Sequence, residues 1–95
     1  MDRPKRLPAH LAPIWDELAE DISDKIGLAG MEAFCGQVHR LREASQRITT
    51  EGMVVQDSKG NPVPHPALGI EKAAQAEIRA WTDKYARRNR KGVWP

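Results

Sequence analysis

Residues 54–68, VVQDSKGNPVPHPAL, restrict the fold of this chain more than any other segment. Proline has no backbone N–H and disfavours helix in the residue before it, so Pro62, Pro64 and Pro66 exclude a helix here. The sequence Asp-Ser-Lys-Gly-Asn is typical of a turn, and the two valines before it favour extended structure. We therefore predict a β-hairpin or an extended loop over residues 53–65, acting as a rigid corner between two helical arms.

The segment before Gly27 has the pattern of an amphipathic helix, and we predict helix 1 over residues 8–26. Pro13 is compatible with the first turn of this helix, where its missing N–H is not needed. Acidic residues occupy the side of the helix away from its apolar stripe, and a solvated face is the expected role for them. The stripe consists of Leu11, Ile14, Trp15, Leu18 and Ile22.

A second apolar stripe predicts helix 2 over residues 29–51, ending before Gly52. The stripe consists of Met31, Phe34, Cys35, Val38, Leu41 and Ile48. Arg42 lies on its flank, as either a snorkelling side chain or a paired charge. Cys35, the single cysteine, is expected to be a small buried apolar group, although Cys35 and His39 could in principle share a metal.

Helix 3 is predicted over residues 67–90, and its many alanines make it a strong helix former with room for close packing. Its apolar positions repeat at helical spacing and are expected to form core or oligomer contacts. They are Ile70, Ala74, Ile78, Trp81 and Tyr85. The predicted class is all-α: a helical pair, a hairpin-like corner, and a long third helix that continues into a basic tail at residues 87–95.

With 95 residues, the chain is expected to form one domain, residues 1–95, whose small core would be stabilised by self-association. The net charge of +2 hides an asymmetry: residues 1–30, 31–69 and 70–95 carry formal charges of −2, 0 and +4. Basic residues at the two ends are the candidate DNA contacts. They are Arg3, Lys5, Arg6, Arg87, Arg88, Arg90 and Lys91. A solubilising tail is the alternative, and Trp94 could either dock on a partner or fold back.

The residue pattern indicates no catalytic or cofactor chemistry. There is no Gly-rich phosphate loop, no His-Glu-x-x-His and no Cys-x-x-Cys, so we expect neither an enzyme nor a bound cofactor or metal. A lone cysteine cannot form an internal disulfide, and no apolar run approaches the length that a bilayer requires, so we expect no membrane partner and a cytosolic location.

Several stretches of the sequence resemble the small subunits of tailed-bacteriophage terminases. They are APIWDELAEDI in the first helix, EGMVVQDSKGNPVPHPAL in the corner and GIEKAAQAEIRAWTDKYA in the third helix. The order is the most specific part: Glu-Gly, two valines, a Lys-Gly-Asn-Pro turn, and His-Pro before an Ala-rich helix. The likeness covers residues 7–86.

This resemblance implies a homo-oligomeric ring that binds double-stranded viral DNA at the packaging start site. The ring would present this DNA, in the host bacterial cytoplasm, to a large terminase subunit that holds the ATPase and nuclease. The resemblance implies no catalytic site in this chain. The alternative is a helical adaptor or virion-assembly factor without DNA binding. A repressor-like helix-turn-helix is disfavoured, because the link from Gly52 to Pro66 is too long and proline-rich.

Overall fold

The computed structural model describes residues 1–87 of the chain. Helix α1 spans Ala12–Leu18, helix α2 spans Gly27–Glu51 and helix α3 spans Ala67–Tyr85. Two short strands between α2 and α3, β1 at Val54–Gln56 and β2 at Pro62–Pro64, pair as an antiparallel hairpin. The mainly helical fold with a hairpin corner, predicted from the sequence, is confirmed.

The hairpin is closed by the turn chemistry of the sequence between its strands. The Asp57 carboxylate accepts the backbone N–H groups of Lys59 and Asn61, each at 2.9 Å, and these hydrogen bonds lower the pKa of Asp57. Val55 faces Val63 in the register, and backbone bonds link Met53 with His65 and Asp57 with Asn61. In an antiparallel pair only every second residue bonds across to its partner strand. Pro62 and Pro64 occupy the alternate positions, whose backbone nitrogens face away from β1, so their missing N–H groups cost no bond in the hairpin.

The core lies where α1 packs across the N-terminal half of α2. Its fully buried side chains are Trp15, Ile22, Met31 and Cys35. Helix α3 packs alongside α2, and its last turn reaches the residues that precede α2, so the two helices run antiparallel. Gly52 ends α2 with a φ of 87°, a left-handed conformation that glycine adopts at little cost. The predicted end of helix 2 at residue 51 agrees with this, and its start is two residues earlier than predicted.

Helix 1 is shorter than the prediction of residues 8–26. A 3-10 turn at Ala9–Leu11 leads into α1, which ends at Leu18, and a second 3-10 turn follows at Asp24–Ile26. Ile22 instead forms an antiparallel bridge with Ala86, and the Ser23 N–H donates to the Tyr85 carbonyl at 2.7 Å. The Ile22 N–H still donates to the Leu18 carbonyl, but Ser23 is extended, with a ψ of 141°, and its N–H bonds to the end of α3.

Helix 3 likewise ends at Tyr85, five residues before the predicted boundary at residue 90. Ala86 is extended, with a ψ of 136°, and the Arg87 N–H donates to the Asp21 carbonyl at 2.7 Å. The same bridge that shortens helix 1 therefore also ends α3. The other predicted positions of the helix end and tail, residues 88–95 with Trp94, lie outside the described residues.

Candidate nucleic-acid interface

The N-terminal basic residues lie on a segment that is held against α1. The Trp15 indole N–H donates to the Met1 carbonyl at 2.9 Å, and Leu7 packs against the core. Arg3 forms an ion pair with Asp16, with 3.3 Å between Nε and Oδ1. Lys5 and Arg6 are exposed and form no ion pair with any residue from 1 to 87.

At the other end of the described chain, Arg87 is fixed by three contacts. Its backbone N–H donates to the Asp21 carbonyl, its Nε–H donates to the Ile22 carbonyl at 3.1 Å, and its guanidinium lies 2.9 Å from Asp24 Oδ1. We call residues 21–24 together with 85–87 the clasp. The clasp fixes the point from which the following basic residues continue. Three of those candidates, Arg88, Arg90 and Lys91, lie outside the described residues.

Both basic ends thus reach one acidic segment, residues 16–24. Arg42 of α2 reaches it as well, with 2.7 Å between a guanidinium nitrogen and Glu17 Oε2, so Arg42 is a paired charge. This hydrogen bond and the positive charge of Arg42 lower the pKa of Glu17, and Glu17 in turn raises the pKa of Arg42. The acidic face is therefore exposed, as expected, but three of its carboxylates are paired with arginines from three different parts of the chain.

Most of the apolar candidates on α3 contact the core of the same chain. Ala74 is buried, and Ile78, Trp81 and Tyr85 pack against the core. The Trp81 ring lies 6.0 Å from the Phe34 ring between centroids, which is an aromatic contact between α3 and α2. Ile70 differs, because 51% of its surface is exposed.

A groove beside Ile70 was not predicted from the sequence. It has a volume of about 270 Å³ and lies between the C-terminal half of α2 and the start of α3, away from α1. Ala44 and Ala67, both buried, form its floor, and Arg40 and Arg47 lie on its α2 side. The sequence does indicate the α2 side of this groove, because Arg40 and Arg47 are seven residues apart and so share one helix face. The position of α3 beside that face could not be read from either helix alone.

The described residues give little support for metal chemistry. No group of three or more His, Cys, Asp or Glu side chains within residues 1–87 could hold a metal ion. Burial, with a smaller effect of the nearby Glu32 charge, raises the pKa of the Cys35 thiol to about 11. A thiol with this pKa stays protonated at neutral pH and is a poor ligand and nucleophile. Among the same residues, no helix has the length and apolar character to span a bilayer.

The fold is that of a small, mainly helical protein, in which one described arginine from each end of the chain pairs with a carboxylate of residues 16–24. The family model for the small subunit of phage terminase matches residues 12–86, which include all three helices and the hairpin. The chain therefore belongs to the phage terminase small-subunit family, and its role is in phage DNA packaging. Terminase small subunits are in general the non-catalytic subunits. Comparison with curated proteins and with solved structures gave no significant match.

Proposed function

We propose that this chain binds double-stranded phage DNA as a homo-oligomeric ring and presents that DNA to the large terminase subunit in the host bacterial cytoplasm. One structural observation carries the DNA contact: Arg3 and Arg87, from opposite ends of the chain, both pair with the acidic segment 16–24. The remaining candidates follow these anchors directly in sequence. Lys5 and Arg6 come after Arg3, and Arg88, Arg90 and Lys91 come after Arg87. We therefore take residues 3–6 and 87–91 together as the DNA-binding residues of the chain.

A single copy would bind duplex DNA weakly. If the four cations of residues 87–91 each met one phosphate, log Kd would change with log salt at a slope of roughly 3.6. Affinity would then fall about 150-fold between 50 and 200 mM salt. An assembly of several copies would offset this weakness, because every further contact forms at a high effective concentration. A ring is therefore the form in which these short basic ends would hold DNA.

Salt titration of duplex binding tests this proposal. We expect the triple variant Arg88→Gln, Arg90→Gln, Lys91→Gln to bind more weakly and to reduce the salt slope by roughly 2.7. The matched control removes three exposed cations elsewhere, Lys59, Lys72 and Arg79, and should keep most of the wild-type slope. Fluorescence anisotropy with a labelled duplex from 20 to 300 mM salt measures both.

The adaptor alternative predicts a different result in the same titration. It is favoured by exposed apolar side chains around the corner, Met53, Val54 and Ile70, which suit contact with another protein. No binding at 20 mM salt by an intact oligomer would support the adaptor. Equal weakening by the triple variant and its control would move the DNA contact away from the tail.

A further inference from the structure

Two of the candidate DNA contacts, Arg3 and Arg87, form ion pairs within the described residues. Both pair with carboxylates of the acidic segment, residues 16–24. Arg3 faces Asp16 at 3.3 Å and Arg87 faces Asp24 at 2.9 Å. All four side chains are about half exposed or more, from 48% for Arg87 to 68% for Asp24. A phosphate group could therefore approach either arginine from solvent without any change in the fold.

A carboxylate and a phosphate offer a guanidinium the same kind of partner, a charged oxygen acceptor. As long as Asp16 pairs with Arg3 and Asp24 pairs with Arg87, a DNA phosphate must displace the aspartate before it can bind the arginine. Exposed ion pairs are weak, each worth a factor of roughly 1.4 to 5 in an equilibrium constant. A duplex carries about one negative charge per 1.7 Å of its axis, so the exchange is feasible, but each pair subtracts from the affinity.

Arg87 is placed for such an exchange. Its Nε–H donates to the Ile22 carbonyl, and its backbone N–H donates to the Asp21 carbonyl, so neither of these bonds depends on a carboxylate. The outer nitrogen alone contacts Asp24. The side chain can therefore give up Asp24 for a phosphate and still keep its position on the clasp.

From these contacts we infer that Asp16 and Asp24 act as internal competitors of DNA phosphate for Arg3 and Arg87, and that they set the affinity of the protein for DNA. The inference rests on the proposed function, because it assumes that these arginines meet DNA. Glu17 has a different role. Its contact with Arg42 joins α1 to α2, and Arg42 is not among the candidate DNA contacts.

The test replaces Asp16 and Asp24 by asparagine, singly and together, and measures duplex binding at fixed salt. Each single variant should tighten binding by up to about fivefold, and the double variant by about 2- to 25-fold. The matched control is the double variant Glu20→Gln, Glu77→Gln, which loses the same charge. Glu20 lies on the same segment, and neither control residue forms an ion pair within residues 1–87. The control should change affinity less than twofold, since unpaired exposed charges are screened by salt.

A double-mutant cycle separates competition from a general charge effect. Asp24→Asn should tighten binding in the wild type but not in an Arg87→Gln background, where no arginine is left to release. A second cycle, Asp16→Asn with Arg3→Gln, involves no residue of the clasp. It therefore tests the same competition if Arg87→Gln does not fold. Circular dichroism melting identifies any unfolded variant.

The outcomes distinguish the inference from the function on which it rests. Tightening that persists after Arg87 and Arg3 are removed, or that the control matches, would overturn the inference and leave DNA binding intact. Binding by the double aspartate variant where the wild type shows none would support strong competition. Failure of both proteins to bind at 20 mM salt would overturn the proposed function and the inference together.

Discussion

His65 holds the corner of the molecule together through both nitrogens of its ring. Only 5% of its surface is exposed, and among residues 1–87 His65 is the polar residue that is classed as buried. Its Nδ1 accepts the Ala67 backbone N–H at 2.9 Å, so the ring proton is on Nε2, which donates to Glu51 Oε1 at 2.9 Å. One ring thus links the last residue of α2 to the first residue of α3.

Replacing His65 should destabilise the protein in a graded way. His65→Ala removes both bonds and leaves a buried N–H without a partner, and we expect a loss of about 2–4 kcal/mol in the free energy of unfolding. His65→Asn should lose less, because its side-chain oxygen can still accept the Ala67 N–H. Urea unfolding monitored by circular dichroism measures both variants. Equal losses for alanine and asparagine would contradict the role assigned to Nδ1.

At the level of secondary structure, the sequence predicted the elements whose signals are local. The apolar spacing of α2 and α3, Gly52 as a stop and the turn before Asn61 each depend on neighbours along the chain. The two helix ends that were wrong depend on each other. Residues 22–23 leave the helical conformation because they pair with residues 85–86, more than sixty positions away. No periodicity within either segment contains that information.

The ends of the chain show the same limit for the candidate site. Charge runs identified Arg3 and Arg87 as cationic, but only the folded chain shows that Asp16 and Asp24 are their partners. The sequence also allowed two roles for Arg42, a snorkelling side chain or a paired charge, and the packing of α1 against α2 provides its partner, Glu17. The sequence therefore identifies the charged residues, whereas their ion-pair partners become known only from how the helices pack.

The contact between α1 and α2 should make stability depend on pH. Arg42 lowers the pKa of Glu17 below its ordinary value of 4.5. A carboxyl whose pKa is lower in the folded state stabilises the protein above the unfolded pKa, and this contribution is lost as the pH falls through the folded pKa. We expect the urea midpoint of wild type to fall below about pH 4.5. The urea midpoint of Glu17→Gln should fall less steeply over the same pH range, because this variant has no carboxyl at position 17 to titrate.

The control for this effect is Glu20→Gln on the same segment, since Glu20 forms no ion pair within residues 1–87. It should keep the acid dependence of wild type. Part of that dependence also remains in Glu17→Gln, because the pKa of Glu51 is lowered chiefly by its hydrogen bond with His65. If both variants follow the wild-type curve, Glu17 and Arg42 do not interact in solution.

The part of the chain that the structure describes is extended rather than spherical. Its radius of gyration is 16.1 Å, whereas a compact domain of this length would have about 12 Å. Much of the α2–α3 pair therefore remains open to solvent, including the groove beside Ile70. A shape that buries little surface within one copy is consistent with the proposed assembly of several copies.

Ile70 offers a direct test of that assembly. We expect Ile70→Glu to shift the protein toward smaller species, because a charge would enter an apolar contact between copies. Leu28→Glu is the matched control, since Leu28 is 53% exposed and lies at the far end of the α2–α3 pair. Both variants should fold as wild type does. Native mass spectrometry measures the subunit number, and an unchanged assembly in Ile70→Glu would place the contact elsewhere.

Pro62 and Pro64 limit how such copies can touch. Neither residue has an N–H to offer, so the outer edge of β2 cannot receive a further strand, while the outer edge of β1 remains able to do so. Hairpins of neighbouring protomers can therefore not stack edge after edge into a continuous ribbon. In the proposed ring, where many identical hairpins would lie close together, hairpin pairing would stop at a single contact between two β1 edges, and growth into a fibril through this sheet would be blocked.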